Sequence, residues 1–483
     1  MTEQPSILAP VRQQIPVRQG GVNKWVVLTL TCSILVGNYY AYDTPAALNI
    51  PLQKYLGVDY EAWQLQINLL YSAYSLPNTV LPFLSGIFIQ SYGSASILVF
   101  CSSSVLFGQL IFLLGLIMKS FPILLIGRVI FGIGGESVSV CQSCIVADWF
   151  GSSSQVSFAL GLTLTISRLG SVLNSIMSPI IERNSQSVIA AVSFATFLCL
   201  ASFVCSFTLA RIVITSSNQA PSVSETTPLL FTQNSISIED RTAIPILQHI
   251  KPAGFEDVVT MVRSLPEEFW MMCLLCVLLY GAVIPFNNTA SDFLQEKWFP
   301  NDTVTAGFIM SIPDFLSTVL TPLSGWYIDK YGQKVTLLFS SAVIVFFAHI
   351  ALGLSNWTPI TPMIALGVAY SVYGATIWGA IADVVKIQQR RNGNVTEITT
   401  SLGGAYGLST AIYNTSLVIL PIIAAEVHVL TPGTQFLWVE IFFATLGFLA
   451  AIASAILYRM DAKNGGILQS GNLESLNSAP DHN

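Results

Sequence analysis

A chain of 483 residues that is 53% hydrophobic and only 10% charged falls outside the soluble globular class, in which about a quarter of residues carry charge. Its mean hydropathy of +0.65 marks a membrane protein. The 20 Lys and Arg set against 26 Asp and Glu leave a net charge of −6, with no basic excess for nucleic acid.

Residues 1–24 are polar and lack the charged n-region, apolar core and small-residue cleavage site of a secretory signal, so they read as a tail before an uncleaved first anchor. Beyond them, apolar runs long enough to cross ~30 Å of hydrocarbon, which takes about 20 helical residues, recur along the chain. They predict spans at 25–43, 64–90, 95–118, 121–147, 156–181, 188–210, 269–290, 304–328, 336–355, 360–384, 399–425 and 435–458. Backbone polar groups find no water in lipid, and the runs are continuous rather than alternating, so helices and not barrel strands are expected. The fold class is an all-α membrane protein of twelve transmembrane helices in two pseudo-symmetric six-helix bundles, 25–210 and 265–458.

The fourth and fifth spans each carry a charge at bilayer depth, Glu136 and Arg168. Such groups cost roughly 2.5–3.5 kcal/mol each on insertion scales and face the bundle interior or a wet cavity. One suits the ammonium and the other the carboxylate of a zwitterion, because a guanidinium grips a carboxylate with two parallel hydrogen bonds. The alternative is a fixed Glu136–Arg168 bridge that only joins two helices, a weak source of stability because desolvation offsets attraction. Arg128, nearer the end of its span, reads as either a gating or a structural arginine. Asp314 in the eighth span fits a position near a polar cavity.

Tyr280, Tyr373 and Trp378 at mid-span are candidates for the wall of a substrate pocket. Pro285, beside Gly281, is a point where the seventh helix could loosen at a gate. The glycines of GIGG (132–135) and SLGGAYG (401–407) predict close helix contact rather than a phosphate cradle, since no strand precedes them. Cys141-x-x-Cys144 and Cys273-x-x-Cys276 have zinc-like spacing but lie in apolar spans, so neither metal nor cofactor is expected. With no catalytic triad, nucleotide fingerprint or metalloprotease motif outside the spans, and four histidines in all, no enzyme is indicated.

Between the bundles, 211–264 is at first rich in Ser, Thr, Gln and Pro and reads as a linker. Phe255, Val258, Val259 and Val262 recur at helical spacing, which suits a short helix on the membrane surface. Ser264-Leu-Pro-Glu267 predicts a capping box for the seventh helix. Glu225-Thr-Thr-Pro-Leu229-Leu230 resembles the acidic dileucine signal read by adaptor complexes.

Basic residues crowd alternate loops: Arg12, Arg18, Lys24, Arg211, Arg241, Lys251, Arg263, Lys330, Lys334, Lys386, Arg390, Arg391, Arg459 and Lys463 on one side, against Lys54, Lys119, Arg183 and Lys297 on the other. That asymmetry places both termini, including the tail 459–483, and the linker in the cytoplasm. Asn301 and Asn356 are then glycosylation sequons in outside loops, whereas Asn394 faces the cytoplasm and Asn414 lies in a helix.

TVLPFLSGIFIQSYG (79–93) aligns without a gap on TVLTPLSGWYIDKYG (318–332), an offset of half the chain, as in transporters built from parallel repeats with a site at the midplane. Gly325, Asp329, Lys330, Gly332 and Lys334 resemble the loop signature of the major facilitator superfamily, although its N-terminal copy has Gln90 and Ser91 in place of the acid and base. Gly127-Arg128-Val-Ile-Phe-Gly132-Ile-Gly134 resembles that superfamily's fourth-helix motif. NYYAYDTPAAL (38–48), GRVIFGIGGES (127–137), ADWF (147–150), GLTLTISRLGS (161–171) and LPEEFW (265–270) look like the lysosomal dipeptide transporters within it.

The resemblance implies export of dipeptides from lysosomes by uniport, with a glycosylated single-pass accessory protein, and it implies that Glu136 holds the ammonium and Arg168 the carboxylate. The sequence lacks the E-x-x-E-R pattern of proton-coupled peptide carriers. Two alternatives stand beside it: a carrier of another solute, such as a sugar or organic anion, and a transporter-like receptor or scaffold that does not translocate.

Overall fold

The computed structural model describes residues 23–150, 156–218, 262–263, 265–391 and 398–470, and every regular element among them is a helix. The first half comprises α1 (Lys24–Ala47), the short α2 (Asn49–Leu56), α3 (Tyr60–Asn78), α4 (Leu81–Tyr92), α5 (Ser94–Ile117), α6 (Phe121–Phe150), α7 (Val156–Ser185) and α8 (Val188–Asn218). The second comprises α9 (Glu267–Lys297), α10 (Thr303–Met310), α11 (Ile312–Tyr331), α12 (Lys334–Leu354), α13 (Ile360–Arg391), α14 (Ile398–Leu430), α15 (Leu437–Lys463) and the short α16 (Ile467–Ser470).

Among the described residues, 11 helical runs are long and apolar enough to cross a bilayer, α10 and α11 together forming one of them. The predicted span 64–90 is broken in two, as α3 and α4. Pro77 lies in the last turn of α3 and Pro82 at the start of α4, where its missing N–H is one the helix would leave unpaired anyway, and between them Val80 takes the non-helical φ of −128°. Several helices outrun their predicted spans. The first continues through Pro45 to Ala47, so Asp43 sits inside it rather than at its end. The N-cap of the seventh helix is Pro266, with no side-chain bond, and Ser264 of the expected capping box lies outside the described residues.

The repeat is visible in the packing. In the first half α1 packs on α7 and α8, α5 on α6 and α8, and α3 on α6; in the second α9 packs on α14 and α15, α12 on α13 and α15, and α11 on α13. Gly93 and Gly332, 239 positions apart, both close their helices with positive φ (80° and 68°), donating to Ile89 O at 2.9 Å and Ile328 O at 2.8 Å. Close approach in the first half depends on the GIGG run. A Cβ on Gly132 would stand 2.3 Å from Tyr74 O, and one on Gly134 2.1 Å from Cys101 O.

The halves meet where α3 and α4 pack on α14 and where α7 packs on α10 and α11. The end of the bundle carrying the turns at 57–59, 298–302 and 431–436 is closed. There a single apolar core joins Trp63, Ile67 and Leu70 of the first half to Phe293, Met310 and Phe436 of the second. Toward the opposite end the first half packs on a separate core of its own, from Val27 and Leu28 to Ile145 and Phe150.

A polar latch reinforces the closed end. Asp292, 2% exposed, accepts from the Tyr60 hydroxyl at 2.9 Å and the Gln64 amide at 2.5 Å; the Tyr60 hydroxyl also lies 3.2 Å from His428 Nε2 and 3.4 Å from Glu296. Asn301 and Asn356 are both exposed, in the short segments after α9 and α12. Asn414 is fully buried and donates to Thr410 O within α14, which leaves no room for a glycan.

At the opposite end, Lys334 pairs with Asp383 of α13, and the Gln333 N–H donates to Gln469 O of α16 at 2.9 Å. Gly325 has no neighbour where a Cβ would lie, and the exposed Lys330 rests its amine about 5 Å from the Trp326 and Tyr331 rings. Of the Asp329 side chain nothing is described. Glu225, Leu229, Leu230 and the predicted surface helix up to residue 261 lie outside the described residues, as does Asn394.

Candidate functional site

Between the halves lies a cavity of about 230 Å³, lined by α1, α3, α6 and α7 on one side and by α9, α11, α13 and α14 on the other. Both candidate charges reach it. Glu136 projects from α6 beside Gly135, the glycine that admits the Tyr74 ring: a Cβ there would lie 2.3 Å from its hydroxyl. Arg168 projects from α7 and is 8% exposed. The two do not pair. Among the described residues the ion pairs are Lys334–Asp383 and His349–Glu440, and no carboxylate comes within salt-bridge distance of Arg168.

The guanidinium is held instead by neutral groups of the second half. Its Nη1 donates to the Thr321 hydroxyl at 3.1 Å, and its Cζ lies over the Tyr370 ring, 4.6 Å from the centre. Tyr280 is the hub of an aromatic wall, with Tyr413 at 5.4 Å, Tyr370 at 6.3 Å and Trp378 at 6.5 Å between ring centres. The Trp378 indole donates to the Tyr280 hydroxyl at 3.0 Å, which fixes both rings.

Tyr373 stands behind this wall and not in it: it is fully buried, edge-on to Tyr280 at 5.1 Å, with its hydroxyl donating to Leu279 O. Helix phase is the reason. Tyr370, Gly374 and Trp378 recur every four residues on the face turned to the cavity, and position 373 is a quarter-turn off it. Arg128 is also outside the cavity. It is 1% exposed, donates to Tyr42 O at 3.0 Å, and lies against Phe112 at 4.9 Å with two further nitrogens sealed and unpaired. It thus bridges α6 and the end of α1. Pro285 is buried within an unbroken α9, one turn before the cavity-lining Asn288.

Sequence reasoning passed over Tyr39, Tyr42 and Asp43, which share one face of α1 and line the cavity, and it passed over Tyr370, Tyr413 and Thr321. The i, i+3, i+4 spacing of Tyr39, Tyr42 and Asp43 was a usable signal. Asp314, expected near a polar cavity, does line it, in the first turn of α11. With Glu136 this makes three cavity carboxylates on three helices against one cavity guanidinium, a surface suited to a ligand carrying both signs of charge.

Comparison with known proteins agrees with this architecture. The lysosomal dipeptide transporter MFSD1 of Bos taurus is 29% identical over 458 residues, covering 92% of this chain and 87% of its own, and the Danio rerio protein of that name is 28% identical, covering 95% and 92%. Two solved structures share the fold at low identity: the nucleoside transporter NupG, at a TM-score of 0.60 and 13% identity over 89% of this chain and 100% of its own, and a D-xylose–proton symporter, at 0.61 and 12% over 90% and 97%. The model of the Major Facilitator Superfamily matches residues 31–404, and on that match the chain belongs to this superfamily of membrane transporters.

Proposed function

We propose that this transporter exports dipeptides from lysosomes by alternating access, as a uniporter, with the cavity between its halves as the substrate site. The observation that carries the reading is that Glu136 and Arg168 line one cavity without pairing. Charges inside a membrane-spanning bundle that lack an opposite charge are costly unless something else completes them. A dipeptide zwitterion completes both: its ammonium meets Glu136, and its carboxylate meets Arg168 through the bidentate guanidinium fork. The aromatic wall of Tyr280, Tyr370, Trp378 and Tyr413 presents flat apolar faces with few fixed donors, which suits side chains of many kinds.

The relatives named for lysosomal dipeptide transport support the same assignment. The latched end is the lumenal one in this reading, because the basic loops lie opposite it. Sorting to the lysosomal membrane is assigned to Glu225, Leu229 and Leu230, glycosylation to Asn301 and Asn356, and a glycosylated single-pass accessory protein is the expected partner.

Uptake by purified protein in sealed liposomes tests the function. A labelled dipeptide should equilibrate across the membrane without an imposed proton gradient, while free sugars and organic anions fail to compete. Uptake of sugars or organic anions in preference to dipeptides would assign another substrate to the same fold, and binding without uptake would make the chain a receptor.

A further inference from the structure

Arg168 belongs to the first half, yet everything that holds its guanidinium belongs to the second. Two rungs link α7 to α11 at a constant offset of 153 positions: the Thr165 hydroxyl with Thr318 O at 3.5 Å, and one turn later Arg168 Nη1 with the Thr321 hydroxyl at 3.1 Å. From α13 the Tyr370 ring lies under the guanidinium Cζ at 4.6 Å. Gly374, one turn further along α13, lies beside the guanidinium: a Cβ there would be in ordinary contact, 3.5 Å from Nη2 and 3.8 Å from the Tyr280 hydroxyl.

The contrast with Arg128 shows what this seat accomplishes. Arg128 keeps two unpaired nitrogens sealed in protein, whereas no nitrogen of Arg168 is sealed and unpaired, and Arg168 lines the cavity. One hydrogen bond and one ring face hold the guanidinium while consuming a single donor. The other edge is left to bind a ligand oxygen pair.

We infer that Tyr370 and Thr321 are positioning residues for Arg168, and that they make the carboxylate subsite a composite of both halves. The inference rests on the reading of Arg168 as the carboxylate ligand and adds its dependence on the second half. A guanidinium freed from the ring and the hydroxyl samples other rotamers, and a bidentate contact loses strength with each of them. The consequence is mechanistic: when the halves rock apart along α7 and α11 the seat is dismantled, and the grip on the substrate carboxylate weakens as the cavity changes sides.

The test is a set of binding measurements on full-length protein with two ligands, a free dipeptide and the same dipeptide amidated at its C-terminus. Thr321→Val should weaken the free dipeptide about fivefold or more and leave the amidated one unchanged, and Tyr370→Leu, which also removes part of the aromatic wall, should weaken the free dipeptide about fivefold more than the amidated one, in the range of a lost hydrogen bond or cation–π contact. Tyr370→Phe keeps the ring face and should preserve the parent's ratio of free to amidated affinity. Equal weakening of both ligands, or no change in either, overturns the positioning role. Arg168→Lys is the control that separates the two levels. If it discriminates between the ligands while the Tyr370 and Thr321 variants do not, the carboxylate reading stands and the seat fails; if it does not discriminate, the carboxylate reading itself has failed. Should Tyr370→Leu fail to fold, Thr321→Val, which is isosteric, carries the experiment alone.

Discussion

The Tyr60 hydroxyl on α3 donates to the Asp292 carboxylate on α9 at 2.9 Å, and so ties the first half of the transporter to the second at one end of the bundle. Other hydrogen bonds between the halves, from Ser72, Thr165 and Arg168, lie near the middle, and among the described residues none is found at the opposite end. The latch is therefore the polar part of a closed gate, backed by the apolar core that crosses the interface there. Asp292→Asn and Tyr60→Phe each remove a charge-assisted bond, and each should raise backbone amide exchange at residues 60–64 and 292–296 several-fold, with 334–354 unchanged. Unaltered exchange at those segments would mean that the apolar contacts alone close the gate.

Gly134 faces the Cys101 carbonyl so closely that a methyl group cannot be admitted without moving α6 away from α5. Gly134→Ala should lower stability by about 1–3 kcal/mol, the usual cost of overpacking. Gly161→Ala is its control, since nothing lies within 4 Å of the added carbon, and should leave the melting temperature unchanged or raise it slightly. Thermal melts in detergent read both.

His349 on α12 and Glu440 on α15 meet at 2.8 Å, with side chains 0% and 1% exposed, inside the second half and away from the cavity. Glu440→Ala leaves a buried polar group without its partner and should cost about 3–5 kcal/mol. Replacing both residues with Leu should cost far less, because no polar atom is then stranded. A double variant that melts as low as the single one would show the pair to be worth more than its packing. Dipeptide uptake by the double variant should match the parent.

Asp302 caps α10 by accepting from the Thr305 N–H at 3.2 Å and hydroxyl at 2.6 Å, and these bonds hold its carboxyl below the usual carboxylate range. A depressed folded-state value means that the stabilisation is present above the unfolded value, about 3.9, and is lost as the pH falls through the folded one. The cap thus survives a mildly acidic compartment. Asp302→Ala should destabilise by about 1 kcal/mol at pH 5 and at pH 7 alike. The gap between variant and parent should close only below roughly pH 4.

Much of this was legible in the chain itself. Twelve crossings, the half-chain repeat and the depth of Glu136 and Arg168 follow from apolar run length and the cost of charge in lipid, which are local properties of sequence. Tyr280 and Trp378 were found as mid-span aromatics, but choosing Tyr370 over Tyr373 required the phase of α13, which composition does not carry. Asp43 is hidden because the apolar run stops at its position, whereas the helix continues through Pro45. The latch was illegible for a different reason: Tyr60 and Asp292 are 232 positions apart, and no local pattern pairs them.

The central claim is that Glu136 and Arg168 each hold one end of a dipeptide, and the most direct measurement is ligand-induced thermal stabilisation of Glu136→Gln and Arg168→Lys crossed with N-acetylated and C-amidated dipeptides. The account predicts that both variants fold as the parent does without ligand, and that each weakens the free dipeptide by about 2–5 kcal/mol at most, the cost of a lost ion contact. It further predicts that the acetylated ligand is blind to Glu136→Gln and the amidated ligand blind to Arg168→Lys. Variants that lose stability in the absence of ligand, and that treat free and blocked dipeptides alike, would contradict it and move the substrate site away from these two residues.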